Sequence, residues 1–346
     1  MAEKHKIQAA LAGYGYAGKT IHAPLLRAAK GLNLTTVVSS RPDDVHKDLP
    51  DVAVCDLETA LTDASIDLVV IATPNDLHAP QAHAALDAGK HVVVDKPFAL
   101  DVGQAQGLID HARDVDRLLS VFHCRRWDSN HLTFERLRPR LGDLYQVVLR
   151  YDRWRPVVRD RWRERPGPGS GIWYDLGAHL LDQSLTLFGQ PDWISADIAG
   201  QRPGAQTDDY FHVVLGYGPL RVMLHSSMLT AAPGPAIEVQ GATGAFVKYG
   251  MDTQEEMLKA HIVPGSSGWG RDDIAGNFTP IVDGQPGSVE AITAMPGNYL
   301  AYYEAVARAA RGQGDNPVPA KDALKVMRLI ELGFQSASEG KRVICD

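Results

Sequence analysis

A glycine-rich turn lies near the start of the chain, between a segment typical of a strand and one compatible with a helix. The apolar run Ile7-Gln8-Ala9-Ala10-Leu11-Ala12 leads directly into Gly13-Tyr14-Gly15-Tyr16-Ala17-Gly18. Glycines at this spacing let the chain turn sharply after a strand and allow phosphate oxygens to approach bare backbone amides. Because such turns also occur by chance, the pattern predicts a dinucleotide site only where its context agrees.

The order of segments along the chain supplies that context. Strands are predicted near 6–12, 33–39, 67–73, 91–94 and 118–122, with helices near 18–30, 56–64, 77–88 and 102–114. This alternation indicates a parallel sheet. Longer runs then predict a largely antiparallel sheet, from 143–151, 209–217, 220–229 and 236–248, and helices near 298–311 and 320–338 close the chain. The glycine-rich stretch 264–290 is expected to be a surface loop or a frayed edge of the second sheet.

Composition limits the classes of partner. The 346 residues are enough for two domains, each with its own core, and the net charge of −7 offers no general attraction to nucleic acid or anionic lipid. The odd set Cys55, Cys124 and Cys345 lacks CxxC spacing, which argues against disulfides and cysteine zinc sites. No segment has the length of a signal-peptide core or a membrane span. We therefore expect a cytoplasmic protein without nucleic-acid or membrane partners.

A second motif follows the β-branched run His91-Val92-Val93-Val94. Asp95-Lys96-Pro97-Phe98 places a lysine where ligands bind in doubly wound sheets, at the carboxyl edge. An ammonium there stabilises an oxygen that becomes a carbonyl, although most lysines are simply exposed.

The turn Thr73-Pro74-Asn75 and the nearby His78 follow the preceding strand at the same edge. Asn75 and His78 either contact the nicotinamide ribose or substrate, or serve as a turn former and a helix cap.

Asp175 and His179 begin a segment of helical period after the break Pro166–Gly171. With Asp182 they share one stripe if the segment is an α-helix. An imidazole can take a hydroxyl proton near neutral pH, and Asp175 can orient it. The alternatives are a solvated helix face and a metal site. A metal site lacks an HExxH motif, a Cys/His cluster and a third ligand, so no metal is expected.

Two arginine-rich segments are further candidates. Arg161-Trp162-Arg163 either clamps cofactor phosphates or forms a surface loop. Arg125, Arg126 and Trp127 either line the cleft or fasten the two domains.

The residues after the second strand bear on the choice of dinucleotide. An NAD site usually places Asp or Glu about 20 residues past the glycines, where this chain has Val38-Ser39-Ser40-Arg41. Two hydroxyls and a guanidinium suit a 2′-phosphate, so NADP is expected. Asp43 and Asp44 follow closely and leave NAD possible.

These motifs together resemble the Gfo/Idh/MocA oxidoreductase family over essentially the whole chain. The resemblance rests on the GxGxxG turn, Thr73-Pro74-Asn75, Asp95-Lys96-Pro97, where the family usually has Glu at the first position, and Asp175-x3-His179. The runs Val92–Phe98, His123–Asp128 and Gly169–Asp175 look like the branch with NADP-dependent scyllo-inositol dehydrogenases.

The resemblance implies an α/β fold in two parts. An N-terminal Rossmann doubly wound parallel sheet (1–123) is followed by an α+β domain with a large, mostly antiparallel open sheet (124–346). The final helices are allowed to pack back on the first domain. The open sheet is expected to form a homodimer or homotetramer.

The resemblance also assigns residues. The implied catalytic set is Lys96, Asp175 and His179. The cofactor candidates are Gly13, Gly15, Tyr16, Gly18, Ser39, Ser40, Arg41, Thr73, Asn75, His78, Lys96, Trp162 and Arg163, and the substrate candidates are Lys96, Arg125, Trp127, Asp175 and His179. The expected reaction is hydride transfer between NADP(H) and a cyclic polyol or sugar, with scyllo-inositol first. A cofactor-binding regulator and an NAD-cycling glycosidase-like enzyme are the alternatives.

Overall fold

Residues 6–345 are described by a computed structural model, in which the chain forms two compact units. The first unit contains the chain up to Trp127 together with 254–269 and 298–324. The second contains 128–253, 270–297 and the chain from Lys325 onward. Each unit is therefore assembled from stretches that are distant in the sequence.

The first unit is built on a parallel sheet. Its strands are β1 (Ile7–Ala12), β2 (Leu32–Val38), β3 (Ala53–Cys55), β4 (Leu68–Ile71), β5 (His91–Val94) and β6 (Leu119–Val121). Their order in the sheet is β3-β2-β1-β4-β5-β6, with every neighbouring pair parallel. All four residues of β4 are buried, as expected for a strand covered on both faces. This is the doubly wound order that reverses between β1 and β4.

Helices connect and cover these strands. A π-helical segment, Ala17–His22, runs into α1 (Ala23–Ala28), and α2 (Pro42–Asp48), α3 (Leu57–Thr62), α4 (His78–Asp87) and α5 (Val102–Asp114) follow. Neither α2 nor β3 was predicted, because both are short and carry little apolar periodicity.

The second unit holds a larger mixed sheet and the helix α6 (Ser129–Leu137). The strands are β7 (Leu144–Arg150), β8 (Trp193–Ala199), β9 (Tyr210–Tyr217), β10 (Leu220–Ser227), β11 (Ile237–Gly241), β12 (Gly244–Lys248), β13 (Gly276–Val282), β14 (Gln285–Pro286), β15 (Glu290–Ile292) and β16 (Val343–Ile344). The order is β14-β13-β12-β11-β7-β10-β9-β8-β16, and β15 pairs with β13. Only β7 and β10 pair in parallel among these described strands. The expected α/β fold, with one parallel and one mostly antiparallel sheet, is confirmed.

The remaining helices lie in different parts of the chain. They are α7 (Ala178–Phe188), α8 (Gln254–Lys259), α9 (Leu300–Ala310) and α10 (Ala320–Glu339), and a π-helical turn, Trp173–Gly177, precedes α7. Among the helices described, none is both long and apolar enough to cross a bilayer.

Two details of the second sheet differ from the sequence-based expectation. The run 236–248 is a hairpin of β11 and β12 rather than one strand, because Gly241 and Gly244 flank a tight reversal. The stretch 264–290 contains β13, β14 and the start of β15, so the surface-loop alternative is wrong and the sheet-edge alternative is right. Short edge strands with half-exposed residues leave little periodicity to detect.

Candidate functional site

The three motif glycines of the turn after β1 play different structural roles. Gly13 has φ +97°, and a Cβ there would lie 2.7 Å from the carbonyl oxygen of Ala72. A Cβ on Gly18 would collide with the Gly13 carbonyl oxygen, whereas a Cβ on Gly15 would meet no atom within 4 Å. A sharp turn, a close packing contact and an open approach to the backbone are the requirements of a pyrophosphate site. The turn therefore fits a dinucleotide.

Tyr16 of this turn and Arg125 are brought together by Glu255, on α8. The Tyr16 hydroxyl donates to Glu255 Oε1 at 2.7 Å, and Arg125 Nη2 lies 3.4 Å from Glu255 Oε2. Burial opposes ionisation of Glu255, but Arg125 and the bond from Tyr16 outweigh it and lower its pKa to about 2. A carboxylate charged throughout the physiological range thus links two predicted site residues of the first unit.

The backbone of Lys96 is held by its neighbour Asp95. Asp95 Oδ1 accepts from the Lys96 amide at 2.8 Å, and Asp95 Oδ2 lies 3.6 Å from His22 Nε2. His22 in turn contacts the Tyr303 hydroxyl through Nδ1. Burial raises the pKa of Asp95, but the contact with His22 and the charges of Lys96 and His78 together outweigh it, so that the net shift is downward. Asp95, which stands where the family usually has Glu, therefore remains charged and still binds the Lys96 backbone.

His78 joins the turns that follow β4 and β5. Its Nδ1 lies 2.8 Å from the Pro97 carbonyl oxygen and its Nε2 lies 3.0 Å from the Thr73 carbonyl oxygen. The Thr73 hydroxyl donates to Gln81 Oε1 at 2.8 Å, and Asn75 is buried in a 3₁₀ turn. His78 thus ties together the turns that follow two adjacent strands, and Asn75 lies in the first of these turns, after β4.

The residues after β2 remain accessible. Ser39 Oγ accepts from the Arg41 amide at 3.1 Å, and Ser40 and Arg41 are exposed. Arg41 Nη1 lies 3.2 Å from Asp44 Oδ2. Asp44 lies in α2 and not at the end of β2, where an NAD site usually has its carboxylate. Its carboxylate pairs with the Arg41 guanidinium instead.

The predicted polar stripe is buried at His179 and Asp182, and Asp175 is half-buried. His179 is 6% exposed and Asp182 is 1% exposed, so the solvated-face alternative is wrong. The His179 ring packs edge-on against Tyr151 with centroids 6.5 Å apart. The expected α-helical stripe is also wrong in part, because Asp175 lies in the π-helical turn and only His179 and Asp182 lie in α7.

Asp208 holds the start of this segment and was missed by the sequence analysis. Its Oδ2 accepts from the Trp173 amide at 2.6 Å, and its carboxyl packs against Gly171, where a Cβ would collide with it. Burial raises the pKa of Asp208 to about 6. No local motif links residue 208 to residue 173, so only the fold brings them together.

The arginine loop packs against the same segment. Arg163 Nε lies 3.7 Å from Asp175 Oδ1, and Arg161 Nε donates to Glu164 Oε1 at 2.7 Å. The side chain of Trp162 lies outside the described part of the structure. The loop is thus directly beside one predicted catalytic carboxylate.

Trp127 and Arg126 make their described contacts inside the first unit. The Trp127 ring packs perpendicular to Tyr302 at 5.7 Å, and Arg126 Nη1 lies 3.4 Å from Asp322 Oδ2. These contacts tie the returning segment 298–324 to the Rossmann sheet. Of the predicted catalytic set, Lys96 belongs to the first unit, and Asp175 and His179 belong to the second.

Comparison with known families agrees with this geometry. Residues 7–123 match the NAD-binding Rossmann-fold domain of the Gfo/Idh/MocA oxidoreductases, and residues 136–345 match the C-terminal alpha/beta domain of the same family. The protein belongs to the Gfo/Idh/MocA oxidoreductase family.

Similar proteins cover nearly the full chain. The uncharacterized oxidoreductase YdgJ of Escherichia coli is 51% identical over 96% of both chains. The scyllo-inositol 2-dehydrogenase (NADP(+)) IolW of Bacillus subtilis is 37% identical over 98% of this chain and 96% of its own. A solved structure of the oxidoreductase yvaA from Bacillus subtilis superposes over all of both chains with a TM-score of 0.96 at 36% identity.

Proposed function

We propose that this oxidoreductase transfers hydride between NADP(H) and a secondary alcohol or ketone of a cyclic polyol or sugar, with scyllo-inositol as the first candidate. The observation that supports a dinucleotide cofactor is the geometry of the glycine turn. The backbone is accessible at Gly15, whereas Gly13 and Gly18 pack too closely against other backbone atoms to bear a side chain. The substrate rests on similarity to IolW, the scyllo-inositol 2-dehydrogenase (NADP(+)) of Bacillus subtilis.

The choice of NADP follows from the end of β2. Ser39, Ser40 and Arg41 offer hydroxyls and a guanidinium where an NAD site offers a carboxylate. Arg41 is exposed, and its ion pair with Asp44 can be exchanged for a 2′-phosphate because both side chains are solvated.

The proposed mechanism assigns one task to each of three side chains. When bound, the dinucleotide supplies the hydride acceptor. The His179 imidazole accepts the hydroxyl proton of the substrate. Because this side chain is little exposed, few water molecules can compete for the proton. The Lys96 ammonium stabilises the substrate oxygen as it becomes a carbonyl oxygen. Asp175 orients the other members of the set, His179 and Lys96. Asp95 positions Lys96 through the backbone bond described above.

Initial rates at 340 nm test the proposal with scyllo-inositol, myo-inositol, glucose and xylose, each with NADP and with NAD. We expect His179→Ala and Lys96→Met to lower turnover by roughly 10²–10⁴-fold while dinucleotide binding persists. Arg41→Ala is expected to weaken NADP by about tenfold and to leave NAD nearly unchanged. The exposed Lys47→Met serves as the control for Lys96→Met.

Three results would contradict parts of this proposal. An absence of turnover with every polyol and sugar would contradict the proposal that the substrate is a cyclic polyol or sugar. Full activity of His179→Ala with an unchanged pH profile removes the proposed base. Equal or tighter binding of NAD than NADP, unaffected by Arg41→Ala, removes the cofactor preference.

A further inference from the structure

An arginine-lined pocket lies in the second unit beside Asp175. The space between its lining side chains amounts to about 330 Å³ only when the open solvent at its mouth is included. Five arginines line it: Arg153, Arg155, Arg161, Arg163 and Arg202. The carboxyl-bearing side chains in the lining are Glu164, Asp175 and Asp208. Positive groups thus outnumber negative ones.

Some of these arginines are neutralised within the protein. Arg202 Nε lies 2.7 Å from Asp209 Oδ2, and Arg202 Nη2 lies 3.1 Å from Glu164 Oε2. The same Glu164 also accepts from Arg161. Glu164 and Asp209 together therefore balance Arg161 and Arg202, so that an excess of positive charge at the pocket comes from the other arginines of the lining.

Arg153 and Arg155 are presented to the pocket by a fixed backbone. The Arg153 amide donates to the Ser227 carbonyl oxygen at 2.9 Å, and the Arg155 amide donates to the Met228 carbonyl oxygen at 2.8 Å. Trp154 forms an antiparallel bridge with Leu229 and is largely exposed. Because side chains alternate along an extended segment, the two arginines share the face opposite Trp154.

Within the described residues 6–345, neither the Arg153 nor the Arg155 guanidinium forms an ion pair of 4.0 Å or less with a carboxylate. Arg155 is also half-buried. Its pKa is lowered by burial first and then by repulsion from the neighbouring arginines, and the Asp175 carboxylate opposes this shift only in part. Neighbouring guanidiniums repel one another, and a bound anion would relieve this repulsion. The arrangement therefore indicates an anion-binding site.

We propose that this pocket is an oxyanion subsite that binds a carboxylate or phosphate group of the substrate. Each planar guanidinium of Arg153 and Arg155 can donate in parallel to two oxygens of a carboxylate or of a phosphate group. The inference rests on the proposed function, and within the same class of polyols and sugars it favours an acidic or phosphorylated substrate over a neutral one such as scyllo-inositol. Asp175, in the same pocket lining, brings the subsite next to the proposed chemistry.

Paired substrates test the subsite through its selectivity. Rates with glucose are compared with those of D-glucuronate and glucose 6-phosphate. We expect kcat/KM for at least one anionic sugar to exceed that for glucose by about tenfold or more, because hydrogen bonds between charged groups are stronger than those between neutral groups. Arg155→Met and Arg153→Met should abolish this advantage, and Arg155→Lys should retain part of it. Arg221→Met, at a hairpin of the same sheet, is the matched control.

Inorganic phosphate tests the pocket without any turnover. Calorimetric titration at constant ionic strength should show binding to the wild type that weakens at least tenfold in Arg155→Met, with circular dichroism verifying the fold. Phosphate should also compete with the anionic sugar. Non-competitive phosphate would assign the pocket to a free anion and overturn its place in the substrate site.

Two further outcomes overturn the inference. A wild type that turns over neutral polyols but shows no preference for anionic sugars removes the subsite and leaves the proposed function standing. Weaker NADPH binding in Arg155→Met, with phosphate binding unchanged, assigns the arginines to the cofactor instead. If no polyol or sugar is turned over at all, the proposed function fails, and the pocket is decided by the phosphate titration alone.

Discussion

Asp208 is the carboxyl group whose ionisation should affect stability most visibly near neutral pH. Burial raises its pKa to about 6 from the ordinary value near 4. Because the folded state disfavours the charged form, the stability that protonated Asp208 contributes is fully present below the unfolded-state pKa. That contribution is lost as pH rises through about 6. The cost of the ionised form is roughly 3 kcal/mol at most.

Asp208→Asn should remove this pH dependence. The amide oxygen can still accept from the Trp173 amide, as Asp208 Oδ2 does. We expect the variant to gain free energy of unfolding relative to the wild type as pH rises from 4 to 8, measured by urea denaturation at each pH. Asp160→Asn, at an exposed carboxylate paired with Arg165, is the control. Parallel pH profiles for Asp208→Asn and wild type would contradict the assignment.

The π-helical turn before α7 depends on the contact between Gly177 and Trp173. The fully buried Trp173 ring lies between two glycines, Gly177 and Gly333, and donates from Nε1 to the Ile330 carbonyl oxygen at 3.1 Å. A Cβ on Gly177 would collide with the ring, and one on Gly333 would lie 2.6 Å from it. Any side chain at Gly177 therefore displaces either the indole or the turn that carries Asp175.

Gly177→Ala should destabilise the protein by about 1–3 kcal/mol, as an overpacked core does. The same substitution at Gly107 should have the opposite sign. Gly107 is an exposed glycine inside α5 with nothing within 4 Å of its would-be Cβ, so Gly107→Ala should add roughly 0.5–1 kcal/mol. Urea unfolding of both variants measures the contrast. Equal effects would show that packing against Trp173 does not constrain the turn.

This turn also shows where sequence reasoning ends. Periodicity indicates that Ile172–Gln183 is helical, but a π turn and an α turn use the same residue types and differ only in backbone hydrogen bonding. The predicted strands of the first third correspond closely to β1, β2, β4, β5 and β6 because buried parallel strands carry continuous apolar runs. The short β3 and α2 carry no comparable signal.

The assembly of each unit from distant segments was equally hidden. Glu255 and Tyr303 contact Tyr16 and His22 across more than 230 residues of sequence. Local motifs predicted Tyr16 and Lys96 correctly as positions at the carboxyl edge of the sheet, but they contain no information about which later segments return to support them. Asp208 was missed for the same reason. The catalytic and binding roles of these residues stay predictions.

The second sheet presents one covered and one open face. Phe211 and Val213 of β9 are fully buried, and Phe211 packs against the Trp173 ring at 5.1 Å. Val214 faces the other way and pairs across the strands with Met223 of β10, which pairs in turn with Val148 of β7. A row of apolar side chains thus crosses three strands on this face, half-buried at Val214 and Met223 and buried at Val148.

We expect a second copy of the chain to cover this row, as the family resemblance implies. Sedimentation velocity should show the wild type as a dimer or tetramer of the 37.6 kDa chain. Val214→Glu combined with Met223→Glu should weaken assembly by roughly a hundredfold or more, because two carboxylates would be buried without partners. Val263→Glu, at an exposed valine of the first unit, should leave the sedimentation coefficient unchanged. A monomeric wild type, or an unaffected double variant with native circular dichroism, would assign the open face to solvent.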